Sequence, residues 1–270
     1  MAEARRIKGS LVVIEEHGVH SGGMGFSERI AGVLERIYSV RPVPRYVEVH
    51  IYGSTHDYIS AHGSKPLFPA MHDALLGYPR IHVVQDMLPE DEQVVDSLVL
   101  HEAVHSVLHG SPEYYVVSVS GDLLSHYRGD PGSLLTHAAS AIKDVDVAWY
   151  QLEHGFLDEL WTYAAYVLEA STEDLLEASL LAAPPADRSV KTAFLVLLAK
   201  RVAPLSPLLR SPTHRSKAAA ALERYLAMYP GWVRRHAFTL AREILPSIRG
   251  GDLSPRVERL LAWITNILAG

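Results

Sequence analysis

The stretch that decides the fold runs Pro89-Glu90-Asp91-Glu92-Gln93-Val94-Val95-Asp96-Ser97-Leu98-Val99-Leu100-His101-Glu102-Ala103-Val104-His105-Ser106-Val107-Leu108-His109-Gly110. Proline and three acids open it, where the positive end of a helix dipole favours them. Gly110 and Pro112 close it. The spacing predicts one helix ending at His109. Its middle is apolar except for His101, Glu102 and His105, and polar groups at such positions are expensive unless they are used.

The spacing of those three residues has chemical content. His101 and His105 stand four apart, which stacks both imidazoles on one helical face about one turn apart. Both can then reach one ion. Glu102 lies about 100° round the helix from His101, within reach of a water on that ion without being a ligand itself. A zinc ion lowers the pKa of such a water toward neutrality, and Glu102 is the base placed to take its proton. His109 continues the stripe, but eight helical residues span about 12 Å, too far for it to share an ion with His101. The expected role of His109 is to cap the helix or to support a ligand.

Working outward, Leu11-Val12-Val13-Ile14 reads as a buried strand, and a glycine-rich connection from His17 to Gly25 follows. That connection lacks the Gly-Lys-Ser/Thr of a phosphate-binding loop and does not spell G-x-G-x-x-G. Ser27 to Tyr38 has a helical apolar stripe (Ile30, Val33, Leu34, Ile37). Tyr46 to Tyr52 alternates as a second strand, and Arg80 to Gln85 reads as a third. Between them, Gly53 to about Tyr78 reads as a loop. His50, His56, His62, His72 and His82 crowd this part of the chain. Their spacings match no ligand pattern, and they are expected to be loop histidines beside a cleft. Downstream, Leu134 to Ala170 is mostly helical with a break near Gly155. Helices are expected near 172–182, 189–202, 216–228, 232–246 and 254–268.

The chain of 270 residues carries a net charge of −6, with 48% hydrophobic residues and no cysteine. A core is affordable on this composition, and any metal must be held by His, Asp or Glu. The absence of a basic excess argues against nucleic acid as a partner. No apolar run approaches the length of a membrane span, and Leu11–Ile14 is too short for a signal-peptide core. The expectation is a cytoplasmic protein with no membrane partner, whose oligomeric state the sequence leaves open.

The order strand, helix, strand, strand, motif helix, helix over about residues 10–170 resembles the zincin metallopeptidases. That resemblance implies an α+β fold: a zincin-like domain (1–170) with a small mixed sheet and the active-site helix, then an all-helical C-terminal region (171–270). It implies Zn2+ as cofactor and a peptide or protein substrate that pairs with an edge strand, which would be Arg80 to Gln85. The metzincin branch requires Gly and His at positions occupied by Leu108 and Ser111. The gluzincin branch places a Glu on a later helix, and Glu159 in Phe156-Leu157-Asp158-Glu159-Leu160-Trp161 fits that place. Asp158, Glu153, His154 and His137 are the alternatives. Tyr163 stands where thermolysin-like members have Asp. The ligand set implied is His101, His105 and Glu159 with Glu102 as general base, a zinc metallopeptidase of the gluzincin type. Tyr114, Tyr115, Tyr163, Tyr166, His214 and His236 are candidates to stabilise an oxyanion. The alternative is a non-catalytic zincin-like protein that binds a partner, its metal structural or absent. A third is an interaction protein built on the helical region, with the motif incidental.

Overall fold

The computed structural model describes residues 2–19, 24–40, 43–182 and 187–269. The chain separates into two compact units, residues 1–114 and 115–270. The boundary suggested near residue 170 therefore falls inside the second unit. The overall class is α+β, with a small mixed sheet and many helices.

The first unit is built on a five-stranded sheet in the order β1-β2-β3-β5-β4. Strands β1 (Ala2–Ile7) and β2 (Ser10–His17) form a hairpin. Its two-residue turn is Lys8-Gly9, both with positive φ, as a type I′ turn requires. Strand β1 carries its alternation on charged residues and so shows no apolar strand signal, and β2 extends three residues past the expected end at Ile14. Helix α1 (Met24–Tyr38) then leads to β3 (Tyr46–Tyr52), parallel to β2. A short helix α2 (Thr55–His62) follows, with Ser54 as its N-cap. Strand β4 (Ala70–Asp73) is antiparallel to β5 (Arg80–Val84), which is itself parallel to β3. Helix α3 (Glu92–Leu108) starts at an Asp91 cap and ends at His109.

Two expectations are corrected by this topology. The segment read as one loop from Gly53 to Tyr78 contains α2 and β4. Arg80–Val84 is not an edge strand, because β4 lies outside it in the sheet. Four residues of Ala-Met-His-Asp are too short and too polar to show an alternation, so pairing with β5 alone makes them a strand.

Alternation sorts the sheet residues onto two faces. Val12, Ile14, Val47, Val49, Ile51, Ile81 and Val83 are buried on the face that carries α1 and α3. The opposite face is polar. It presents Glu15 and His17 from β2, Glu48, His50 and Tyr52 from β3, Arg80 and His82 from β5, and Asp73 from β4. Helix α2 lies on this side, where Tyr58 and His62 stack on each other and meet Tyr52 and His82 edge-on. Gly18 and Gly53 let the ends of β2 and β3 converge. A Cβ at Gly53 would meet the Gly18 carbonyl oxygen at 2.6 Å, and Gly18 itself sits at φ +66.

The second unit is helical among its described residues. It comprises α4 (Gly121–Leu124), α5 (Pro131–Glu153), α6 (Leu157–Val167), α7 (Thr172–Ala182), α8 (Arg188–Val202) and α9 (Leu205–Leu208). After these come α10 (Arg215–Leu226), α11 (Gly231–Thr239), a π-helical turn at Leu240–Ile244, α12 (Leu245–Ser247) and α13 (Leu253–Ile267). Gly155, at φ +84, makes the break between α5 and α6. These helices share one core, with Ile142, Leu160, Leu195, Leu222, Leu240 and Leu260 buried together. Two partly buried ion pairs accompany it. Arg256 is bidentate on Asp146 at 2.6 and 2.8 Å, and Asp174 takes Arg201, Tyr225 and Tyr229. Among the described residues no helix is long and apolar enough to cross a membrane.

Asp73 links β4 to β5 through Arg80 at 2.8 Å and His82 at 2.9 Å. Burial pushes its carboxyl pKa up, but the hydrogen bonds from His82 and Arg80 outweigh this and hold it below the ordinary value. Its stabilisation is therefore complete at neutral pH and is lost as pH falls below about 4. Asp73→Asn is expected to be less stable than wild type at pH 7, the gap narrowing as pH is lowered from about 5 to 3. Urea melts across that range test this, and a gap independent of pH would refute it.

Candidate functional site

Helix α3 is buried on most of its circumference. Leu100, Ala103 and Val104 are fully buried, and so, nearly, are His101 (1% exposed), His105 (6%) and Glu102 (8%). Such a helix has little amphipathic signature because almost every side is interior. Its position is fixed by a polar clasp to α1. The Tyr38 hydroxyl lies 2.7 Å from Ser106 Oγ, and Ser106 Oγ donates to the Ala103 carbonyl at 2.6 Å. Burial of Tyr38 raises its phenol pKa well above the usual value.

The two motif imidazoles converge as the spacing requires. His101 Nε2 and His105 Nε2 are 3.2 Å apart, with ring planes at 75°. On the other side of its ring, His105 Nδ1 lies 2.9 Å from His109 Nδ1. His109 is also the C-cap residue of α3, so it both ends the helix and orients a motif histidine. Tyr114 packs edge-on against His109 at 5.0 Å. His72, on the face of β4 toward α3, stacks on His105 with centroids 5.7 Å apart and planes at 12°. Of the histidines read as lining a cleft, only His72 among those described meets the motif helix. His50, His62 and His82 stack on the opposite face of the sheet.

A separation of 3.2 Å between two ligand nitrogens can be compared with a metal's demands. For bonds of about 2.05 Å it corresponds to an angle of about 103° at the ion, close to tetrahedral. The spacing of this pair is compatible with two nitrogens on one tetrahedral ion. A surface cleft of about 490 Å³ lies at the end of α3, lined by Tyr46, Tyr78, Pro79, Ser106, Gly110 and Tyr114 among others. It does not include His101, Glu102 or His105.

The remaining candidates lie in the second unit. Glu159 is in the first turn of α6 and is partly exposed. Asp158 beside it is 94% exposed, with His214 Nε2 at 3.4 Å. Glu153 pairs with Arg249 at 2.6 Å on the surface, and His154 stacks on Tyr150. His137 is half-buried, and burial lowers its pKa. Tyr163 is buried in α6, Lys143 sits 3.9 Å over the Tyr115 ring, and His236 packs between Trp232 and Trp263. Asp144 of α5 is a further buried acid, at 3% exposure, in a helix whose neighbours Ile142 and Val145 are core.

No known protein family matches the chain, no curated protein matches it, and no solved structure matches it. The site thus rests on its own geometry.

Tyr38→Phe removes the clasp between α1 and α3 without changing shape. A loss of about 1 kcal/mol in unfolding free energy is expected. A denaturant midpoint identical to wild type would show that the clasp contributes nothing.

Proposed function

We propose that this protein is a zinc-dependent metallohydrolase, a peptidase of the zincin kind, in which His101 and His105 hold the ion and Glu102 is the general base. The observation that carries the reading is the 3.2 Å approach of two buried Nε2 atoms. Two imidazole lone pairs so close repel unless a proton or a cation lies between them. Glu102, adjacent in sequence and itself buried, is the base this proposal assigns to the pair.

Were a metal held at His105 Nε2, the ring proton would reside on Nδ1 and be donated to His109 Nδ1. That bond fixes the tautomer and the ring orientation, as partners of ligating histidines commonly do. The stacked His72 ring restrains the same imidazole from the sheet side. A zinc ion held there would supply Lewis-acid activation of a water. Glu102 would then take a proton from that water and pass it to the departing nitrogen. The gluzincin resemblance implies Glu159 as the third ligand.

A peptide substrate binds by adding to a sheet edge, where its main chain supplies the missing strand. The sheet terminates at β4, the strand that packs against α3. It is therefore β4, not β5, that is proposed to receive the substrate.

Glu102→Gln is expected to keep its zinc and lose at least about 100-fold in hydrolysis of a peptide library. His101→Ala is expected to lose the zinc itself. Glu159→Gln is expected to shed that metal, and full retention would remove Glu159 as a ligand. If Glu102→Gln equals wild type on every peptide cleaved, the catalytic reading fails and the partner-binding alternative stands.

A further inference from the structure

The polar face of the sheet holds a second convergence of ligand atoms. His17 ends β2, and Glu15 precedes it by two residues on the same face. His50 is the cross-strand partner of Glu15 on β3. His17 Nε2 lies 3.2 Å from His50 Nδ1. Glu15 Oε2 lies 3.5 Å from His50 Nδ1 and 3.8 Å from His17 Nε2. We propose that Glu15, His17 and His50 form a second divalent-cation site, of the zinc class, on the sheet face opposite α3.

Three observations carry this. The first is metric. A point about 2.1 Å from all three atoms exists, about 0.5 Å outside the plane they define, as a zinc ion with N and O ligands requires. The second is electrostatic. A proton on His17 Nε2 could bridge to one neighbour, whereas a cation satisfies both imidazoles and the carboxylate together. The third is the outer arrangement. His50 Nε2 lies 3.2 Å from Glu48 Oε2, and the Tyr46 hydroxyl donates to Glu48 Oε1 at 2.6 Å. A carboxylate at Nε2 keeps the ring proton there and leaves the Nδ1 lone pair for a metal.

The ligands are also held in place. The His17 ring stacks on Tyr52 at 4.8 Å, and the Tyr52 hydroxyl is 2.8 Å from His62 Nε2. The Gly53 amide donates to the His17 carbonyl at 2.8 Å, a contact that the close approach of Gly18 and Gly53 allows. On its other flank the His50 ring stacks on His82 at 5.2 Å. The side chains of Glu15 and His17 are 37% and 36% exposed, so solvent or a further ligand reaches the fourth position. Two imidazoles and one carboxylate favour zinc, copper, nickel or cobalt over magnesium or calcium, which prefer oxygen.

The site is independent of the motif on α3, and the experiment separates the two. Zinc is titrated into the metal-stripped full chain by calorimetry, for wild type, for His101→Ala/His105→Ala, and for each with His50→Gln. The double variant is expected to bind one equivalent, and His50→Gln to abolish that binding. Glu48→Gln, which leaves all three ligands, is expected to weaken it about 10- to 100-fold. A double variant that binds no zinc, or binds it equally with and without His50→Gln, overturns the proposal. Should the double variant misfold by circular dichroism, wild type and His50→Gln alone decide: two equivalents against one support the site, and equal stoichiometry refutes it. Wild-type binding of a single equivalent that His50→Gln removes would support this site while refuting zinc at His101 and His105.

Discussion

The constraint on which the first unit turns is the burial of two imidazoles and a carboxylate on one helix. His101, Glu102 and His105 are withdrawn from water among Leu100, Ala103 and Val104. Polar groups there cost several kcal/mol unless each finds a partner. The structure answers that cost in layers. The motif nitrogens face each other, His109 meets the outer nitrogen of His105, and Tyr38 with Ser106 fixes α3 against α1. The result is a preorganised pair of imidazoles whose orientation is decided by neighbours rather than by solvent.

The sheet serves two purposes because its two faces differ in chemistry. One is aliphatic and seats α1 and α3. The other carries acids, imidazoles and tyrosines in cross-strand rows, closed in part by α2. Such a row needs no core. Stacked rings and ion pairs such as Asp73 with Arg80 and His82 satisfy it. Histidines that seem, in sequence, to belong with the motif are divided by the sheet. His72 turns toward α3, while its neighbour Asp73 turns away, since successive strand residues point to opposite faces.

The α+β class, strand β3, most of α3 with its ends, and the break at Gly155 were legible in the sequence. Each is set by local physics: alternation for Tyr46–Tyr52, capping and glycine for α3, positive φ at Gly155. Strand β1 was not legible, because Ala2–Ile7 becomes a strand only by pairing with β2. The Lys8-Gly9 turn was its one local signal. Strand β4 was hidden for the same reason, and with it the identity of the edge strand.

By itself the sequence determined that His101 and His105 share a helical face, since that follows from 3.6 residues per turn and nothing else. It also determined that His109 is too distant along the axis to share an ion with His101. Only the tertiary structure decided that His72 stacks on His105, and that Glu15 and His17 converge with His50. Those contacts join residues from different strands and helices, and no local periodicity encodes which elements become neighbours.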